Sequence, residues 1–290
     1  MKSYTLTWDS QRLELGRRTL IMGIVNVTPD SFSDGGDFFS TDDAVRQGET
    51  LARQGADILD IGGESTRPFS EPVSVEEEIR RVVPVIEKLA RRIAIPISID
   101  TNKAAVASRA LDAGASMIND VSALRLDPAM GRLAAQRGVP LVLMHMLGTP
   151  KTMQVDPAYD DLFSDIQRFL AKAVAHAEDC GVARSRLIID PGIGFGKTVQ
   201  HNLQLIAHID RLAGLDLPIL VGPSRKAFIR KILKNDDQKD LRPDLPIVET
   251  GTQAVIAALA LKGVHMVRVH HVANTVATLK MIDALKDTES

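Results

Sequence analysis

Asn26, Asp60, Asp100, Asn119, Asp190, Lys226, Arg268 and His270 share one local setting: each stands at or close to the end of a short apolar run that gives way to a loop. For Asp100 and Asp190 the runs are strongly apolar, ISI and LII, so an unpaired carboxylate there is costly to desolvate. A ligand rich in N–H groups would satisfy both. Carboxylates and amides read a flat heterocycle through its donors and acceptors, whereas Arg67, Lys226, Arg268 and His270 suit negative oxygens. The mixture predicts a site for a molecule that is heterocyclic at one end and anionic at the other.

Each of these residues also has an ordinary reading. Asp120 and Asn102 fit helix caps as well as they fit ligand contacts. Asp60 reads as a buried residue tying its strand end to a loop. His145, between Met144 and Met146, reads as a satisfied wall residue. Pro191 to Thr198, PGIGFGKT, imitates a nucleotide phosphate loop but has proline where the first glycine is required. Zinc is disfavoured, since Cys180 is the single cysteine and the seven histidines lack ligand spacing. Mg²⁺ with a diphosphate fits, because that ion needs few protein oxygens when a substrate supplies the others.

The elements that would position these groups follow an alternation. Eight apolar runs, LIMGIVN, ADILDIG, PISID, SMINDV, PLVLMH, LIIDPG, PILVG and MVRVH, are separated by helical patterns. Strand-then-helix repetition is α/β architecture, and eight such units predict a closed (β/α)₈ TIM barrel, whose sites lie at the C-terminal ends of its strands. Tyr4 to Leu15 alternates around Asp9 and Ser10, which predicts a short hairpin plugging the N-terminal mouth. Ile79, Val82, Val83, Ile86 and Leu89 trace one helical stripe, and Pro84 predicts a kink in it or a later start. Further helices are expected over 103–113, 128–137, 156–180, 200–212, 225–233, 252–261 and 272–285, with the charged 235–246 as an exposed excursion.

A chain of 290 residues suits one such domain, 1–290 with the hairpin as an extension at 1–18, since single barrels run to about 250 residues. Formal net charge is −2, so no basic surface advertises nucleic acid or membrane. The unpaired Cys180 and the absence of an apolar leader in Met1 to Trp8 point to a cytoplasmic protein.

Taken together in order, several blocks resemble the dihydropteroate synthase family. They are MGIVNVTPDSFSDGG at Met22 to Gly36, DIGGESTRP at Asp60 to Pro68, SID at Ser98 to Asp100 and INDV at Ile118 to Val121. MHMLGTPKTMQ at Met144 to Gln154, DPGIGFGK at Asp190 to Lys197, SRK at Ser224 to Lys226 and RVH at Arg268 to His270 complete the set. The resemblance implies a transferase of folate biosynthesis that condenses 7,8-dihydropterin-6-ylmethyl diphosphate with 4-aminobenzoate. It implies that Asp100, Asn119, Asp190, Lys226 and Arg268 hold the pterin, and that Asn26, Arg67, Arg268 and His270 contact the diphosphate. Mg²⁺ would sit near Asn26. The aminobenzoate would lie among Phe32, Thr66, Pro68 and Phe195, and Asp100, Lys226, Arg268 and His270 would carry the catalysis.

Three positions depart from the family pattern. Ala227 follows SRK where a serine is common, leaving the helix start to bind the aminobenzoate carboxylate. Phe69 replaces a common glycine after STRP, and His271 an aspartate after RVH. A pterin-binding methyltransferase domain or a non-catalytic pterin-binding paralogue are the competing readings. The first has no use for STRP and SRK. The resemblance also implies a homodimer packed through late helices.

Overall fold

The computed structural model describes residues 2–28, 41–65, 72–148, 153, 157–237 and 239–288. Strand β1 (Tyr4–Trp8) and strand β2 (Gln11–Leu15) form an antiparallel hairpin in the register Leu6↔Leu13 and Tyr4↔Leu15. Asp9 takes the left-handed conformation at the turn, φ 45°. Alternation puts Leu6, Trp8, Leu13 and Leu15 on one buried face.

Eight parallel strands follow: β3 (Leu20–Asn26), β4 (Ile58–Gly62), β5 (Ile97–Asp100), β6 (Met117–Asp120), β7 (Leu141–Met144), β8 (Leu187–Asp190), β9 (Leu220–Val221) and β10 (Met266–Val269). Neighbours in sequence are neighbours in space from β3 to β8, and β10 pairs both β3 and β9. The ring closes through the bridge Ile189↔Ile219, with Ile189 N–H donating to the Pro218 carbonyl at 3.0 Å. The expected (β/α)₈ barrel is therefore the observed fold. Its strands are almost continuously apolar because side chains facing inward fill the barrel and those facing outward meet the helices.

The helices are α1 (Thr41–Arg53), α2 (Val75–Ala90), α3 (Ala104–Asp112), α4 (Met130–Arg137), α5 (Leu162–Asp179), α6 (Val199–Ala207), α7 (Ala227–Leu233), α8 (Pro246–Leu261) and α9 (Val272–Asp287). Pro84 does not delay α2. Ser74 caps it by accepting from Glu77 N–H, three glutamates occupy its first turn, and Val82, Val85, Ile86 and Leu89 bury both sides of the proline. Nor does Asn102 cap α3: the cap position is Lys103, and Asp127 accepts from Ala104 N–H at 2.8 Å. The helix expected from 252 begins at Pro246, whose missing N–H suits a first turn, and the one expected to 212 passes into a 3₁₀ segment, Ile209–Leu215.

The hairpin lies across the N-terminal end of the barrel. His265, just before β10, donates from Nε2 to the Lys2 carbonyl at 3.0 Å and accepts on Nδ1 from Ile219 N–H, while its ring meets the edge of Tyr4. A cavity of about 480 Å³ beside it, reached by Lys2, Tyr4 and Lys286, contains none of the residues at the strands' other ends. Among the described residues no helix is long and apolar enough to cross a membrane.

Candidate active site

At the C-terminal end of the barrel, pairing alone brings several candidates together. Asn26 is level with Gly62, Gly62 with Asp100, and Asp100 with Asn119. Asp190 is level with Met144. Gly62 has no side chain beside Asp100; a Cβ there would stand 3.6 Å from Asp100 Oδ2.

Arg268 reaches across from β10. Its Nε donates to Asp60 Oδ2 at 2.6 Å, and its Nη2 donates to Asp100 Oδ2 at 2.6 Å. Asn119 Nδ2 donates to the same Asp60 oxygen at 3.0 Å. Asp60 thus braces three strands across the barrel interior, rather than tying a strand end to a loop. Asp60 Oδ1 and Asp100 Oδ1 are buried and have no hydrogen-bond partner among the described residues. Native proteins rarely leave such atoms unsatisfied, which marks the two oxygens as candidate acceptors for a bound donor.

Two carboxylates share one guanidinium here. Burial pushes the Asp100 carboxyl up to about 7, with Arg268 pulling it down and Asp60 and Glu78 pushing it further up. Asp190 accepts from Gly192 N–H at 2.7 Å, and burial pushes its carboxyl up to about 6. Lys226 and Arg268 act on both acids as opposing charges. Lys226 Nζ also lies 3.9 Å from the centre of the Phe195 ring, a cation–π contact. His270 pairs through Nδ1 with Ser224 Oγ at 2.9 Å, and Ser224 Oγ accepts from His270 N–H at 3.3 Å. Ser224, which the sequence marks only as the first residue of SRK, orients that imidazole.

The other sequence candidates divide clearly. Asn26 is half-buried at the end of β3. Ala227 is exposed at the first position of α7, directly after Lys226. His271 is exposed at the start of α9, where its carbonyl accepts from Thr275 Oγ1. Asp120 braces a turn, accepting from Ser122 and Leu124 N–H at 2.8 Å each. His145 is a wall residue as expected, with a partner that sequence reasoning missed: Lys197 Nζ stands 2.9 Å from its Nδ1. Phe32, Thr66, Arg67, Pro68 and Phe69 lie outside the described residues.

Buried acceptors beside Arg268 and Lys226 at the mouth of a barrel are the setting of a small-molecule site, and the model of the family "Pterin binding enzyme" matches residues 22–270, which makes the chain a pterin-binding enzyme. A curated dihydropteroate synthase from Synechocystis is 45% identical over 270 residues, 93% of this chain and 91% of the relative. The Escherichia coli K12 dihydropteroate synthase is 43% identical over 264 residues, 91% of this chain and 90% of the relative. A solved structure of Xanthomonas albilineans dihydropteroate synthase with 4-aminobenzoic acid superposes with a TM-score of 0.89 at 45% identity, covering 98% of this chain and 99% of that one. The chain belongs to the dihydropteroate synthase family.

Proposed function

We infer that this protein is a dihydropteroate synthase, joining 7,8-dihydropterin-6-ylmethyl diphosphate to 4-aminobenzoate with release of diphosphate. The observation that carries the reading is the buried Asp100 carboxylate, one oxygen on Arg268 and the other without a partner among the described residues, level with Asn119 and close enough to Lys226 to feel its charge. Asp100, Asn119 and Asp190 supply acceptors and an amide to the pterin ring, and Lys226 a donor. To stack on the ring and reach the leaving group, Arg268 exchanges its bond to Asp100 for the ligand. Asn26, Arg67, Arg268 and His270 take the diphosphate; Phe32, Thr66, Pro68, Phe195 and the start of α7 at Ala227 take the aminobenzoate.

The chemistry follows from where charge develops. The methylene C–O bond breaks with its electron pair going to the diphosphate, leaving a cation delocalised into the pterin. Asp100 stabilises the cation, and Arg67, Arg268 and His270 stabilise the departing anion. The arylamine nitrogen then forms the C–N bond and releases its proton. Because the amine attacks as its free base, no covalent enzyme intermediate and no essential general base are needed.

The donor set also suits Mg²⁺ in a restricted way. Among the described residues no group of three His, Cys, Asp or Glu could hold a metal, and Asn26 offers a single amide oxygen. Such a site fits an ion whose remaining ligands are substrate phosphate oxygens and water. Mg²⁺ held by Asn26 would screen the leaving group's charge.

The reading extends to a cytoplasmic homodimer. Ile247 and Leu261 of α8 and Met281 and Leu285 of α9 are exposed large apolar side chains on two adjoining helices, which supports pairing through that face. Sedimentation at micromolar concentration is expected to give a dimer, and a clean monomer would remove that claim. The activity is tested by following diphosphate and dihydropteroate with both substrates and Mg²⁺. Product is expected, with Asp100→Ala and Lys226→Ala each lowering kcat/KM by about 10²-fold or more, as for loss of a buried charged partner. Pterin binding without product would leave a non-catalytic pterin binder.

A further inference from the structure

We propose that Lys197 is a positioning residue for the aminobenzoate side of the site, holding Phe195 in place from behind the wall. The inference rests on the placement of Phe195 against the aminobenzoate made above. Lys197 closes the loop between β8 and α6 and is only 3% exposed, yet no step of the reaction uses it. Its Nζ donates to the Phe195 carbonyl at 3.0 Å and meets His145 Nδ1 at 2.9 Å. Burial, together with the charges of Lys197 and Arg125, holds His145 far below the usual histidine range. With the imidazole neutral, the 2.9 Å contact is satisfied when Nδ1 accepts from Lys197 Nζ and the ring proton sits on Nε2.

The loop needs such support. Gly192, Gly194 and Gly196 all take positive φ, 68°, 82° and 64°, so the chain between them has little shape of its own. Side chains from outside impose it. Asp190 accepts from Gly192 N–H, Asn202 Oδ1 accepts from Gly194 N–H at 2.8 Å, and Tyr159 OH donates to the Gly196 carbonyl at 2.7 Å. Lys197 adds the bond to Phe195 itself. Around the Phe195 ring stand Val121, Met144, Met146 and Met153, a small apolar cluster separate from the main core. Three flexible methionines cushion a ring without fixing it. On its other side the Phe195 ring meets Lys226 Nζ, so the ring is packed on both faces and a shift of its backbone moves the aminobenzoate wall.

A methionine in place of Lys197 would fill the same space without burying an ammonium, whose pKa burial pulls down to about 7. That the chain carries the costlier group is what a positioning bond explains.

The test is steady-state kinetics on the full chain with both substrates, for the wild type, Lys197→Met, Phe195→Ala and the double variant. Lys197→Met is expected to raise the aminobenzoate KM about tenfold, as for loss of a charged hydrogen bond, while the pterin diphosphate KM changes by less than about threefold. Phe195→Ala should show the same split, and the double variant should be no worse than Phe195→Ala alone, because Lys197 acts through that residue. ¹⁵N-histidine spectra should show His145 as the Nε2–H tautomer in the wild type and altered in Lys197→Met. If Lys197→Met does not fold, His145→Leu carries the same test with an expected rise of about threefold in the aminobenzoate KM. Both KM values unchanged, both raised alike, or additive effects in the double variant would overturn the positioning role while Phe195→Ala keeps its split. An aminobenzoate KM unmoved by Phe195→Ala would overturn the placement of Phe195 and this inference with it.

Discussion

On the proposed reading Asp100 accepts ring N–H groups with both oxygens only when ionised, and burial beside Asp60 raises its carboxyl to about 7. Below that pH the protonated form offers a donor where the pterin also presents donors. Affinity for a pterin ligand is therefore expected to rise as pH increases from 6 to 8, by about tenfold if one group near 7 governs it. Calorimetry at constant ionic strength would show this, and Asp100→Asn should bind weakly with a flat profile over the same range. A flat wild-type profile would mean that Arg268 already holds Asp100 ionised throughout. Asp190, raised to about 6, contributes at the acidic end of the window in the same direction.

Among the elements, the loop after β8 is constrained most tightly by its backbone. A Cβ on Gly192 would stand 1.9 Å from the His145 carbonyl oxygen, at a φ of 68° that L residues avoid. Gly192→Ala is expected to cost at least about 2 kcal/mol, lowering Tm by several degrees and eroding aminobenzoate binding. Gly214 is the internal control. Nothing lies within 4 Å of a Cβ built there, so Gly214→Ala should stay within about 0.5 kcal/mol of the parent. Thermal melts of the two variants side by side decide the point; equal losses would show that glycine content, not the carbonyl contact, matters.

For the molecule as a whole, the hairpin and the proposed site stand at opposite ends of the barrel axis. Trp8, the sole tryptophan, is 1% exposed and belongs to the main core through the hairpin at the N-terminal end. Trp8→Ala is expected to destabilise by about 3–5 kcal/mol, as for other buried aromatic truncations. At temperatures where the variant is folded, KM for both substrates should match the wild type, because the site lies at the opposite end. Changed KM values at full folding would show that the plug and the site are coupled.

Local chemistry in the chain was enough to name most of the polar groups that the structure brings to the C-terminal end of the barrel. An apolar run ending in Asn26, Asp100 or Asp190 names both a barrel strand and a polar group at its C-terminal end, since a parallel barrel exposes one end of every strand to the same mouth. Helix patterns were legible too, although α2 ran through Pro84 because a strong cap and apolar contacts on both sides outweighed one missing N–H. What sequence could not supply was partnership. Arg268 bonds Asp60 across 208 residues, and no periodicity records that. Lys197 looked like the tail of a failed phosphate loop until the fold set it against His145 and Phe195. Glu78, one of three glutamates in the first turn of α2, is fully buried and accepts from Lys103 Nζ at 2.6 Å, a pairing that no local pattern announces. Residue type and spacing determined which groups could act; only closure of the barrel decided which of them meet, because burial and pairing depend on distances that exist in the folded chain alone.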